Sequence, residues 1–268
     1  MEHSTTRSYV DKTEAVATLR RCVSNLVTTV RAIRDPDANA IGTWSARDVA
    51  VHLATDFQAR PDIVTGTPGP LERIDQTAEV NQRLIDSMPE RDMNRVSDLI
   101  ETGALAYIEQ LEGTDEDAIV PWAEYQIPIS ALISIDIAEC LVHGFDIAQA
   151  QGETFEIASH DAALAAKGVS PLTRHYVDPV TAKDLEAVFR LHLRGQGAMD
   201  FIFDHGALEI EDASARRADV YISADPASFL LTGYGRLPLW KPLLRGRLIS
   251  WGRKPWLALR FPKLLKNP

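Results

Sequence analysis

Residues 129–150 read ISALISIDIAECLVHGFDIAQA, an apolar segment carrying a single polar stripe. Asp136, Glu139, His143 and Asp146 follow one another at steps of three, four and three, so a helix places all four on one face. Ala131, Leu132, Ile133, Ile135, Ile137, Ala138, Leu141, Val142, Phe145 and Ile147 cover the other faces. A helix apolar all round is buried, and an unpaired carboxylate inside a protein costs several kcal/mol, on the order of a whole fold's margin. The stripe must therefore face partners or a metal ion. Glu139 and His143, one turn apart, can offer an oxygen and a nitrogen to the same ion. Asp136 reads as a carboxylate that orients a ligand histidine, Asp146 as a structural contact at the helix end, and Cys140 as packing.

A metal site needs a third ligand, and the segment WSARDVAVHL (Trp44–Leu53) supplies one. Ser45 followed three residues later by Asp48 has the pattern of a capping box, and Trp44 with Val49 that of a hydrophobic staple. His52 lies two turns into the helix so started, between Val51 and Leu53. Two histidines and one carboxylate leave positions open for water or substrate, as catalytic zinc sites do. The ligand set suits zinc first, with nickel, manganese or iron as alternatives.

Outward from these two segments the first half reads as helices alone. Val16, Leu19, Val23, Leu26, Val27, Val30 and Ile33 form a stripe from Val10 to Ile33. The helix of His52 is expected to stop near Gln58, before Arg60-Pro61. Helices are expected at about Glu72–Asp86 and Met93–Leu111, and the striped helix closes at Gly152. The second half changes period. Short alternating runs at 187–193, 199–203, 207–210 and 218–223 read as strands, with Asp204-His205-Gly206 as a hairpin turn. A helix from Pro226 to Tyr234, a strand at 247–251 and a closing helix at 255–265 complete it. Helices followed by strands and helices give an α class plus α+β class chain: an antiparallel helical bundle, then a small α+β domain, divided as 1–170 and 171–268.

Composition bounds the function. The 268 residues are 45% hydrophobic and 25% charged, as in a soluble globular protein. No run approaches the roughly 18 apolar residues of a membrane span, and MEHSTTRSYVDK lacks the apolar core of a secretion signal. Cys22 and Cys140, both in apolar helical contexts, point to a reducing cytoplasm. From Arg236 to Pro268 there are nine basic residues and no acid; with −10 overall, the remainder carries −19. That segment suits an anionic small ligand, an acidic partner or the first domain. The acidic remainder argues against nucleic acid.

The segments Trp44–Leu53 and Glu139–Ile147 resemble the two signatures of the mycothiol-dependent maleylpyruvate isomerase family, within the DinB-like bundles. The first signature is a Trp, a hydroxyl residue and an acid ahead of a ligand His. The second is Glu-x-x-x-His followed by Gly, an aromatic and Asp. Carried over, the family's metal ligands fall on His52, Glu139 and His143. Ala218-Asp219-Val220 through Pro226, Gly235-Arg236-Leu237-Pro238, Gly246-Arg247 and Trp251-Gly252 resemble the sterol-carrier-like domain often fused to this bundle. The resemblance implies mycothiol as a thiol cofactor beside the metal, Asn81 facing the pocket, and Arg236 as a functional arginine binding substrate or cofactor. It implies an isomerase or a thiol S-transferase. A thiol-independent metal hydrolase and a non-enzymatic lipid-binding protein, its cavity lined by Trp240, Trp251 and Trp256, stand as alternatives; as ordinary packing, those tryptophans would be core. The sequence leaves the substrate and the oligomeric state open.

Overall fold

The polar stripe at 129–150 becomes buried because two other helices and two short ribbons pack against the helix that carries it. The structure, a computed structural model, describes residues 9–266. The expectation about a secretion signal falls largely on residues 1–8, outside the described residues. The chain divides into two units, the first ending at Ile157 and the second beginning at Ala158. This is earlier than the expected 170/171, because a helix at Ser159–Gly168 packs within the second unit.

In the first unit, α1 (Lys12–Arg31), α2 (Ala46–Val64), α4 (Met93–Glu112) and α5 (Ile129–Ala150) form the bundle, with α3 (Thr77–Ser87) against α2. Leu19, Leu26, Leu53, Ile100, Leu111 and Leu132 are fully buried between them, and truncating one such leucine to alanine costs about 2–5 kcal/mol. The α5 limits are those read from the sequence. Gly152, at φ +72°, ends the helix in the left-handed conformation that glycine adopts without penalty.

Two departures from the expected all-helical half matter for the site. Short antiparallel ribbons precede the helices that carry His52 and the polar stripe: β1 (Asn39–Ile41) with β2 (Trp44–Ser45) before α2, and β3 (Ile119–Trp122) with β4 (Tyr125–Pro128) before α5. The second departure is that α2 does not stop before Pro61 but runs through it to Val64. Proline has no N–H to give the Phe57 carbonyl one turn back. Gly103 of α4 comes up against that same carbonyl, where a Cβ would stand 2.9 Å from its carbon and oxygen. Helix packing thus overrides the local stop signal.

The second unit is a five-stranded mixed sheet in the order β7–β6–β5–β8–β9, formed by β5 (Glu186–Leu193), β6 (Gly197–Asp204), β7 (Ala207–Asp212), β8 (Val220–Ala224) and β9 (Leu248–Gly252). All neighbours are antiparallel except β5 with β8. His205 and Gly206, both at positive φ, make the expected two-residue turn between β6 and β7. Short helices α6 (Ser159–Gly168) and α7 (Ser170–Thr173) precede the sheet. The other two, α8 (Pro226–Gly233) and α9 (Trp240–Leu244), lie between β8 and β9. One sheet face is core, with Phe261 packed on Phe189, Phe201 and Phe203. The expected closing helix is instead two 3-10 turns, Pro255–Leu259 and Phe261–Lys263, since Pro262 removes a donor the helix needs. Among the described residues no helix is long and apolar enough to cross a membrane.

Candidate metal centre

The site begins at the cap of α2. Ser45 Oγ accepts from the Asp48 N–H at 3.2 Å, and Asp48 Oδ2 accepts from the Ser45 N–H at 2.9 Å, completing the expected capping box. Trp44, immediately before the cap, lies with its ring 5.3 Å from that of His52 and 6.4 Å from that of His143. Its Nε1 donates to Gln82 of α3 at 2.9 Å, which fixes the indole as a wall over both imidazoles.

His52 and His143 are buried and approach one carboxylate oxygen. Glu139 Oε2 is 3.2 Å from His52 Nε2 and 3.1 Å from His143 Nε2, and the two rings stand 5.2 Å apart. One ligand atom from each of the three residues lies within 4.8 Å of the others. Two imidazole nitrogens and a carboxylate oxygen converging in a buried pocket fit a divalent ion of the zinc type. The three groups also hold one another electrostatically when no ion is present. Burial would raise the Glu139 carboxyl, but its hydrogen bonds with His143 and His52 hold it well below the usual carboxylate range. Burial would lower His143, yet the bonds to Asp146 and Glu139 outweigh it and lift the imidazole to about 9.

The two remaining stripe residues exchange their expected roles. Asp146 is the carboxylate behind a candidate ligand, its Oδ2 accepting from His143 Nδ1 at 3.0 Å. This pairing fixes the tautomer and turns Nε2 toward the centre. Asp136 instead accepts from Arg60 Nε at 2.7 Å, both side chains almost wholly buried. Arg60 also donates to Asp56 at 3.3 Å and lies over the Trp122 ring, 5.4 Å from its centroid. Spacing placed both aspartates on the right face; the contact of Asp146 with His143 is local to α5, whereas Asp136 finds Arg60 only through the packing of α2 on α5. Arg60 and Asp56 were missed, although both follow His52 on the same helix at four-residue steps.

Asn81 is half-buried on α3, next to Gln82, which holds Trp44. Arg236 follows α8 in the second unit, half-buried, its Nη1 donating to the Tyr234 carbonyl at 2.7 Å. Trp240, Trp251 and Trp256 are exposed rather than core, at 58%, 46% and 62%. Trp251 stacks on Tyr221 at 5.6 Å and on His192 at 6.4 Å, on the sheet face away from the phenylalanine core. Cys22 and Cys140 are both buried, as their contexts implied.

Fold and site together define a helical bundle with a two-histidine, one-glutamate centre, joined to a small α+β domain. Residues 13–148 match the mycothiol maleylpyruvate isomerase N-terminal domain, and the chain belongs to that family. Residues 175–252 match the SCP-2 sterol transfer family. Among solved structures the chain resembles the mycothiol-dependent maleylpyruvate isomerase, with a TM-score of 0.54 at 14% identity over 90% of this chain and 93% of that one. A histidine-to-alanine variant of that enzyme gives a TM-score of 0.56 with the same identity and coverage. At this identity the likeness speaks for the fold of both units. A comparison with curated proteins finds no match.

Proposed function

We propose that this chain is a metal-dependent enzyme that uses a low-molecular-weight thiol, mycothiol, to isomerise a small activated substrate. The observation that carries the reading is the convergence of His52, Glu139 and His143 on one point, with Asp146 bonded behind His143. A divalent ion there, zinc foremost, would lower the pKa of a coordinated thiol and stabilise negative charge as a Lewis acid. The chain's own groups prepare that chemistry. Glu139 is ionised, Asp146 directs His143 Nε2 inward, and Trp44 shields both imidazoles. The thiol must come from outside, because Cys22 and Cys140 are buried and burial pushes the Cys140 thiol well above its usual range. Addition of a thiolate to an activated double bond, rotation about the resulting single bond and expulsion of the thiolate would give isomerisation. Retention of the sulfur would give an S-transferase.

On the resemblance, Asn81 faces this pocket and Arg236 binds an anionic substrate or the thiol. For Arg236→Gln, a raised KM or a lowered kcat supports that role, and unchanged kinetics remove it. Reduced, buried cysteines are in keeping with a cytoplasmic site of action. The test of the whole reading has two stages. Elemental analysis should find about one zinc or similar ion per chain, and little in His143→Ala. Turnover of maleylpyruvate, the first substrate to try, should then require mycothiol. Thiol-independent turnover would favour the hydrolase, and absence of metal after reconstitution would remove the enzyme reading.

A further inference from the structure

The two ligand helices face each other with more ionisable groups than three ligands require. On α2, His52, Asp56 and Arg60 follow at four-residue steps; on α5, Asp136, Glu139 and His143 follow at steps of three and four. The stripes join at both ends. His52 meets Glu139 at 3.2 Å, and Arg60 meets Asp136 at 2.7 Å. Asp56 falls between these junctions. Its Oδ2 is 3.9 Å from His52 Nε2, the same nitrogen that faces Glu139, and accepts from Arg60 Nη2 at 3.3 Å.

Burial separates the roles. The Arg60 and Asp136 side chains are 4% and 2% exposed, whereas that of Asp56 is 20% exposed. A buried ion pair is a poor source of stability, since desolvation offsets most of its attraction. Here it fixes Arg60 between Asp136 and the Trp122 ring, so that Nη2 points at Asp56. A carboxylate held beside a ligand nitrogen, and still reaching solvent, is placed to act on whatever occupies the ion's open side.

We propose that Asp56 is a further carboxylate of the metal centre, accepting a hydrogen bond from a protic ligand in the ion's open position. Arg60, anchored by Asp136, is the positioning residue that holds it there. This rests on the metal reading above but not on the thiol or the substrate. Partners in this outer position usually alter metal affinity by roughly ten- to a hundredfold.

The test is zinc affinity, measured on the full-length chain with no thiol present, by competition with a chromophoric chelator. Asp56→Asn should keep one ion per chain and bind it roughly ten- to a hundredfold more weakly. Arg60→Lys keeps a cation for Asp136 but loses the fork that serves two carboxylates, so it should weaken zinc in the same direction. In the Asp56→Asn background, Arg60→Lys should add little, because Arg60 acts through Asp56. Circular dichroism and thermal unfolding establish that each variant is folded. Parent affinity in Asp56→Asn would overturn the proposal. A full effect of Arg60→Lys without Asp56 would overturn the positioning role. A parent chain that binds no zinc would instead overturn the metal reading, a separate and earlier result.

Discussion

Asp146 stands directly behind His143: its Oδ2 accepts from Nδ1 at 3.0 Å, one turn along the same helix, leaving Nε2 turned toward Glu139. The charge of a helix-end aspartate is thereby delivered to the centre through an imidazole.

Replacing Asp146 by Asn keeps the shape but offers an amide where an acceptor is needed. Zinc affinity should fall about ten- to a hundredfold, with one ion per chain at saturation. Unchanged affinity in a chelator competition would show that His143 is oriented by packing alone.

The raised His143 gives a pH dependence with a definite sign. Burial opposes the charged imidazole, but Asp146 and Glu139 lift its pKa to about 9. A proton must leave Nε2 before a metal ion can bind. Affinity should therefore climb by about tenfold per pH unit between pH 7 and 9 and then level. In the metal-free chain the same shift stabilises the fold fully below the unfolded value of 6.5. That contribution is lost as pH rises through about 9. Melting temperatures of the metal-free chain across this range check it, and a rise toward pH 9 would contradict the assignment.

Asp136→Asn leaves the buried Arg60 guanidinium with only its longer, 3.3 Å carboxylate contact to Asp56. Burial pushes the Asp136 carboxyl up to about 6 even beside Arg60, so the pair is marginal as it stands. Removing one partner should destabilise the chain by about 3–5 kcal/mol, read from urea unfolding. The double variant Arg60→Met with Asp136→Leu should recover most of that loss while zinc affinity stays low. Recovery of both would mean that the pair has no part in the metal site.

Gly103→Ala tests the packing that carries α2 through Pro61. A methyl group 2.9 Å from the Phe57 carbonyl must push α2 and α4 apart. A loss of about 1–3 kcal/mol is expected, as for other overpacked cores. Gly42→Ala is a poor control because of its φ of +56°, whereas Gly113→Ala, in ordinary contact, should be nearly silent on this scale.

The sequence was most readable where one physical signal acted alone. The limits of α5, the capping box at Ser45 and Asp48, and the hairpin turn at His205-Gly206 are local, and the structure has them where the residues implied. The convergence of His52 with Glu139 and His143 was legible because a buried stripe must find partners and few candidates exist. What was not legible depends on contacts between distant segments. Asp136 and Asp146 share one face, and the role of Asp136 is decided by Arg60 of another helix, which claims its carboxylate. Pro61 reads as a stop until Gly103 of another helix is set against the carbonyl it frees. The ribbons β1–β2 and β3–β4 are too short for a periodic signal. Trp240, Trp251 and Trp256 read as core because large aromatic side chains usually are.

The ribbon ahead of α2 has a further consequence. Residue 44 is paired to Ile41, residue 45 caps the helix, and Ala46 and Arg47 donate back to Ala38 and Pro36 at 2.9 Å each. The start of the helix is thus pinned to a fixed point, and the interval from Trp44 to His52 acts as a ruler. Each added residue would turn everything beyond it by about 100°. Variation in this chain can therefore enter by substitution at the exposed positions around the ruler but not by insertion within it: one extra residue would leave the cap intact yet swing the imidazole out of the pocket, and Leu53 and Phe57 out of the core.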